Sequence, residues 1–215
     1  MLLDLTQAQW WYLFNGAGAT LILSVAGILG GSLIGLPTAL AAVSSRVSLA
    51  RLAGSYIQIN QAIPLPVTMF VIYFGLGILG SNVATVVAAS LALALNAGAY
   101  LGNIWKGSIQ SVALPQWEAS ESLALNYPQR MFYVILPQAL RISVAPTLGF
   151  LVTLIKNTSF AVVIGMAELT YSARVVNNTT FQPFVIFSIA AALYFAICFP
   201  LSLVSSRLER RLKGR

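Results

Sequence analysis

Residues 116–141 read QWEASESLALNYPQRMFYVILPQALR, the one extended polar interruption in an otherwise apolar chain. The stretch carries two of the five carboxylates, Glu118 and Glu121, and parts three apolar runs upstream from two downstream. Pro115 suits the first turn of a helix, and nothing from Gln116 to Leu125 breaks one. Asn126 is placed to cap a second short helix beginning near Pro128, and Pro137 is expected to close the segment before the next apolar run. Glu118 and Glu121 are expected early in the first helix, near the positive end of its dipole, as orienting and capping groups. The expectation is a short, exposed, amphipathic helix clamped between two apolar spans, suited to transmit force from a partner. The alternative is an inert helix lying on lipid.

Composition says what the surrounding runs are. Of the 215 residues 58% are hydrophobic and 8% are charged, and the mean hydropathy is +0.84. A soluble domain carries roughly a quarter charged residues, so this chain cannot build a water-facing surface. Five runs approach the ~20 apolar residues of a spanning helix. They lie at about 18–43, 57–79, 83–104, 144–163 and 184–204. The expected fold class is an all-α membrane protein of five transmembrane helices in one domain over residues 1–215, with residues 115–137 exposed. No internal repeat or flexible linker is evident. The early Asp4 and the lack of a basic leader do not fit a cleaved signal peptide.

Charge fixes the expected orientation. Arg46 and Arg51 follow the first run. Lys106, Arg130 and Arg141 follow the third, and Arg207, Arg210, Arg211, Lys213 and Arg215 follow the fifth. If five helices alternate, these share one side, and the other keeps only Arg174. The positive-inside rule then puts the N-terminus outside and the C-terminus in the cytoplasm. The net charge of +7 is therefore topology rather than a nucleic-acid stripe. Trp10, Trp11 and Tyr12 fit an aromatic belt at the outer interface, on a short amphipathic segment before the first span.

Chemistry is sparse. With no histidine and a single cysteine, Cys198, a His-based base or metal site and an internal disulfide are all unavailable, and an intramembrane enzyme finds no support. No catalytic residue and no metal ligand is assigned. Gly27, Gly31 and Gly35 form a small-residue stripe for close helix packing, within the chain or against a second subunit. Asn60, Gln61, Pro64 and Pro66 predict a kink in the second span. Asn96, Tyr100 and Asn103 fall on one helix face, as interhelical hydrogen-bonding groups or as a path lining. Lys156, in VTLIKNTSF, lies ~18 Å into a ~30 Å core, counting from Val144 at ~1.5 Å per residue. A lysine there costs roughly 2.5–3.5 kcal/mol. It is therefore a candidate path cation, with Thr153 and Asn157 beside it; outward snorkelling is the alternative. Glu168 and Arg174, in the loop beyond, are placed to pair or gate.

The stretch around Glu118 resembles the cytoplasmic coupling motif of binding-protein-dependent ABC importer permeases. That motif runs Glu-Ala-Ala, three residues, Gly, about nine residues, then Ile-x-Leu-Pro. Glu118, Ala119 and Ser120 stand at its head here and Pro137 at its end. Ala124 replaces the usual glycine, which transfers a positive-φ turn to Asn126. LALNAGAYLGNIWKGSIQSV, APTLGFLVTLIKNTSF and VIGMAEL are similar to the polar-amino-acid (histidine/glutamate/glutamine/opine) group of these permeases. Gln61 stands where that group commonly has arginine, and Asn157 where it has aspartate. Losing that carboxylate points away from a cationic substrate such as arginine or histidine.

The resemblance implies the MetI-like fold of a type I importer and a half-transporter in a bacterial inner membrane. It implies pairing with an identical or sister permease. It also implies docking of Glu118, Ala119, Ser120, Ala124 and Pro137 on a cytoplasmic ATPase, and delivery of a polar amino acid by an extracytoplasmic binding protein. ATP and Mg would be used by the ATPase, because the chain has no Walker phosphate loop. A stand-alone channel or secondary transporter for small polar solutes is the alternative; it would need no coupling helix, and five helices without a repeat fit it poorly.

Overall fold

The computed structural model of the chain describes residues 5–213, with side chains through Arg210. Asp4, Arg215 and the side chains of Arg211 and Lys213, used in the readings above, lie outside the described residues. No strand occurs among the described residues. The helices are α1 (Gln7–Ala42), α2 (Val47–Ala62), α3 (Leu65–Ile78), α4 (Thr85–Gln110), α5 (Leu114–Ser122), the single turn α6 (Tyr127–Gln129), α7 (Leu136–Asn157), α8 (Leu169–Thr180) and α9 (Pro183–Lys213). Among the described residues four helical segments are long and apolar enough to cross a membrane, and α2 with α3 makes a fifth if the bent pair is one span.

The central packing is α1 against α4, and it is made by the small residues. A Cβ built on Gly31 would lie 2.5 Å from the Cβ of Ala97, and one on Gly35 3.0 Å from that of Leu101. The contact is reciprocal, because Gly98 faces Ile34 and Gly102 faces Thr38. The stripe is therefore filled within the chain and is not available to a second subunit. Around it lies an apolar core of Leu23, Met69, Leu93, Leu101, Phe150 and Leu154, drawn from α1, α3, α4 and α7.

Several segments differ from the sequence reading. Trp10, Trp11 and Tyr12 do not precede the first span on a separate helix. They are the first turns of α1, begun by a capping box in which the Thr6 hydroxyl accepts from Gln9 N–H at 3.3 Å and the Gln9 side chain accepts from Thr6 N–H at 2.9 Å. The second run is not a kinked helix but a broken one, α2 and α3 meeting at 98°. Pro64 forces Ile63 into extended backbone, φ −89° and ψ 127°, because its ring clashes with a helical predecessor.

Pro137 does not close the polar segment. Residues 127–164 run on as one helical body through a π-helical turn, Arg130–Ile135, into α7. Leu136 N–H bonds to the carbonyl of Met131, five residues back. This wider turn makes room for a ring that a regular α-helix would exclude. At its far end α7 tightens into a 3-10 segment, Thr158–Ile164, ended by Gly165 at φ 76°.

Candidate functional site

The candidate site residues singled out by sequence lie on the α5 shelf, on α4, on α7 and at α8. α5 is fastened from below. Trp117 packs with Ile109, Val112, Met131, Ile135 and Ala139. Ser120 is buried, its hydroxyl donating to the Trp117 carbonyl at 2.8 Å. Gln138 of α7 donates to the Gln116 side chain at 3.2 Å. The outward surface carries Glu118, Ala119 and two largely exposed leucines, Leu114 and Leu123. Pro137 is also exposed, on the first turn of α7.

The acids do not sit where dipole reasoning places them. α5 begins at Leu114, so its first turn has no acid, and Glu121 lies in the last turn. There the carbonyl end disfavours a negative charge. Glu121, itself exposed, is instead paired with the largely covered Arg130 of the π turn at 3.2 Å, a partly solvent-screened pair worth about 1 kcal/mol.

The turn after α5 corrects the expectation for Asn126. Ala124 itself is left-handed, φ 57°. Its N–H bonds to the Glu121 carbonyl at 2.8 Å, and Leu125 N–H bonds to the Ser120 carbonyl at 3.3 Å. This pair of bonds is a Schellman close, which normally favours glycine at the position Ala124 holds. Asn126 has φ −71° and caps the next turn, its side chain accepting from Gln129 N–H at 3.0 Å.

Lys156 occupies the last turn of α7, where the helix carbonyls favour a cation. It opens on a groove of about 530 Å³ between α7 and α9, lined also by Ser159, Tyr194, Phe195, Cys198 and Ser202. None of the groove residues is acidic, and among the described residues Lys156 has no ion-pair partner. The remaining polar candidates lie apart from this groove. Tyr100 stacks on Phe150 of α7, with ring centroids 5.2 Å apart. Thr153 and Asn157 share a helix face with Phe150, three and seven residues on. Asn103 is exposed, and Asn96 is buried with its Oδ1 unpartnered among the described residues. The structure thus gives two neighbourhoods, Tyr100 against the α7 face of Phe150 and Lys156 against α9, and does not bring all six residues together.

Glu168 and Arg174 do not pair. Arg174 lies over the Tyr171 ring, 5.7 Å from its centroid. Glu168 is fully buried at the start of α8 and accepts from Tyr171 N–H at 2.8 Å, Thr170 N–H at 2.9 Å and the Tyr194 hydroxyl at 2.9 Å. Burial raises its pKa, and the two backbone N–H bonds oppose that rise. Sequence reasoning missed this cap because glutamate is not a favoured N-cap residue and Tyr194 is hidden in an apolar run. An acid immediately before LTYSARVV was the available signal.

Comparison with known proteins agrees with this architecture. The family model described as "Binding-protein-dependent transport system inner membrane component" matches residues 27–214. A probable amino-acid ABC transporter permease, YckA of Bacillus subtilis (strain 168), is 34% identical, the match covering 94% of this chain and 96% of that one. The L-cystine transport system permease TcyB of the same organism is 36% identical over 97% of this chain and 90% of the relative. Among solved structures, an amino acid ABC transporter with histidines superposes with TM-score 0.87 at 34% identity, covering 93% of this chain and 94% of that one. The MetNI methionine ABC transporter, at 19% identity and TM-score 0.81 over 96% and 99%, shares the fold. The shelf, the helical order and these matches together establish that the chain belongs to the binding-protein-dependent transport system inner membrane component family, as a membrane-spanning permease subunit of an ABC transporter.

Proposed function

We propose that the protein imports a polar, uncharged or zwitterionic amino acid through the groove beside Lys156, driven by a separate ATPase that docks on α5. The observation that carries the path is Lys156: an exposed cation in the last turn of α7, without an ion-pair partner among the described residues, facing a groove with no acid on its walls. Intramembrane charges cost several kcal/mol unless paired, solvated or used, and an α-carboxylate is the anion every amino acid brings. Ser159 and Ser202 add hydrogen-bonding capacity on the same walls. Thr153, Asn157, Asn96, Tyr100 and Asn103 lie outside this groove; of these, Tyr100 against the Phe150 face of α7, with Thr153 and Asn157, is a second polar neighbourhood that substrate could meet. Asn157 in place of an acid favours neutral side chains.

The α5 shelf supports the coupling role. Its exposed face offers Glu118, Ala119, Leu114 and Leu123, and its inner face is tied to α7, the helix that carries Lys156. From Gln138 to Lys156 is about 27 Å of helix at ~1.5 Å per residue. Displacement of α5 by an ATPase using ATP and Mg is thereby delivered to the groove. With the shelf in the cytoplasm the C-terminus is cytoplasmic and the N-terminus outside, where a binding protein delivers substrate. A second permease, identical or sister, completes the pathway.

Lys156→Ala in proteoliposomes tests the path. The Michaelis constant for uptake rises about tenfold or more, in line with loss of a charge-assisted hydrogen bond. Unaltered affinity and rate would remove Lys156 from the path. Cys198, the single cysteine, lines the same groove, so substrate also slows its modification by a thiol reagent.

A further inference from the structure

Glu168 is the one fully buried carboxylate among the described residues, and the transport reading above does not use it. Its surroundings join three elements. From α8 it takes the N–H groups of Thr170 and Tyr171, and from α9 the hydroxyl of Tyr194. The Thr170 hydroxyl lies 3.1 Å from that of Tyr194. The neighbouring Leu169 N–H donates to the Thr20 hydroxyl of α1 at 3.2 Å, and Gly16 of α1 lies against Ser172 of α8. The start of α8 is thus anchored on α1, and through Glu168 it holds one point on α9.

That point is a wall of the groove. Tyr194 lines the same cavity as Lys156, with Cys198 one turn further along α9. Lys156 and Glu168 are also joined along the chain. α7 ends just beyond the lysine, the 3-10 segment Thr158–Ile164 follows, and Gly165 turns the backbone to φ 76° three residues before Glu168. One short strap therefore leaves the groove at its cation and returns to the opposite wall at the tyrosine. A hydrogen bond from a hydroxyl to a carboxylate is stronger and more directional than one to a neutral acceptor, and here the carboxylate is itself fixed by two backbone donors.

We infer that Glu168, acting through the Tyr194 hydroxyl, is a positioning residue that holds the α9 wall of the groove at a set distance from Lys156. This rests on the groove being the substrate path. Glu168 touches no substrate in this scheme. It fixes the width of the site at the head-group end, so that a carboxylate on Lys156 leaves a defined space against Tyr194 and Phe195. Opening the wall loosens head-group binding more than it slows turnover.

The test uses the intact transporter with its partner subunits in nanodiscs, and the native Cys198 as reporter. Tyr194→Phe removes the hydroxyl and nothing else. Glu168→Gln keeps an acceptor for Tyr171 N–H but replaces the oxygen that accepts from Thr170 N–H and the Tyr194 hydroxyl with a donor. Each variant raises the rate of Cys198 modification by a small methanethiosulfonate roughly tenfold, the effect on an equilibrium of losing one hydrogen bond to a charged group. Each raises the Michaelis constant for uptake by a similar factor, with the maximal rate changed less than about twofold. The double variant is no worse than either single one, because both act through one bond.

The inference is overturned if both variants leave the Cys198 rate per folded molecule at the wild-type value. It is equally overturned if their effects simply add. Lys156→Ala separates this inference from the reading beneath it. Unchanged uptake in that variant with faster Cys198 labelling in Tyr194→Phe removes the groove as the path and leaves the wall contact standing.

Discussion

Ala124→Gly should strengthen the shelf. Ala124 closes α5 in the left-handed region at φ 57°, with its N–H on the Glu121 carbonyl at 2.8 Å and the Leu125 N–H on the Ser120 carbonyl at 3.3 Å. An L-residue in that conformation costs roughly 1–2 kcal/mol because its Cβ approaches the following carbonyl oxygen. Glycine removes that cost but brings back about 0.5–1 kcal/mol of unfolded-chain entropy. The net gain is about 0.5–1 kcal/mol, or roughly two- to fivefold in a local opening equilibrium. Hydrogen–deuterium exchange of the full transporter in nanodiscs reads it directly: peptides covering residues 114–126 exchange about two- to fivefold more slowly. Ala124→Val moves the other way, since a β-branched side chain is a true outlier at positive φ. Faster exchange in Ala124→Gly would show that Ala124 is an ordinary right-handed helix residue and that the Schellman close is wrong.

Other perturbations test other contacts. Gly31→Ala places a methyl 2.5 Å from the Ala97 Cβ and 3.1 Å from the Ala97 carbonyl carbon; it lowers thermal stability in detergent by about 1–3 kcal/mol. Gly18→Ala, with nothing within 4 Å of the added Cβ, stays within about 0.5 kcal/mol of wild type. Asn126→Ala removes the cap on Gln129 N–H and costs about 1 kcal/mol, seen as faster exchange at the start of the α6–α7 body. Glu168 has a pKa raised chiefly by burial, so the folded state binds its proton more tightly than the unfolded chain. Its contribution is therefore fully present below the ordinary carboxylate pKa and lost as pH rises through the raised value. A melting-temperature profile that declines over that window in wild type, and declines less in Glu168→Gln, is the expected result.

The fold was largely legible because composition does the work. A chain with 8% charged residues must bury itself in lipid, and the glycine stripe on α1 could only be a close-packing face. The departures share a cause: each depends on how a neighbour satisfies a backbone group. The break at Ile63–Pro64 and the continuity through Pro137 both involve prolines, and sequence alone does not say which will part a helix. A π turn upstream rescues Pro137, whereas the segment before Pro64 opens to extended backbone. Likewise Ala124 takes the turn that side-chain preference would give to Asn126, because Asn126 serves as the cap of the following helix. Around the site, Lys156 stood out in the sequence from its cost alone, as a residue needing a partner or a wet cavity; that it faces the α9 wall without an ion-pair partner among the described residues was not readable. The setting of the Glu168 carboxylate was not readable either, because its side-chain partner Tyr194 lies 26 residues after it, and the Thr20 hydroxyl that anchors the neighbouring Leu169 N–H lies 149 residues before that residue.

The most direct measurement counts labelled amino acid uptake and ATP hydrolysis in the same proteoliposomes, with the permease, its ATPase and its binding protein present. The substrate panel begins with glutamine and cystine. Uptake should require ATP, the ATPase and the binding protein. In Glu118→Arg, hydrolysis should continue while uptake falls about tenfold or more, as expected when a charge is reversed at a docking contact. Uptake that proceeds at the wild-type rate with the ATPase omitted would contradict the account and make the chain a free-standing pathway.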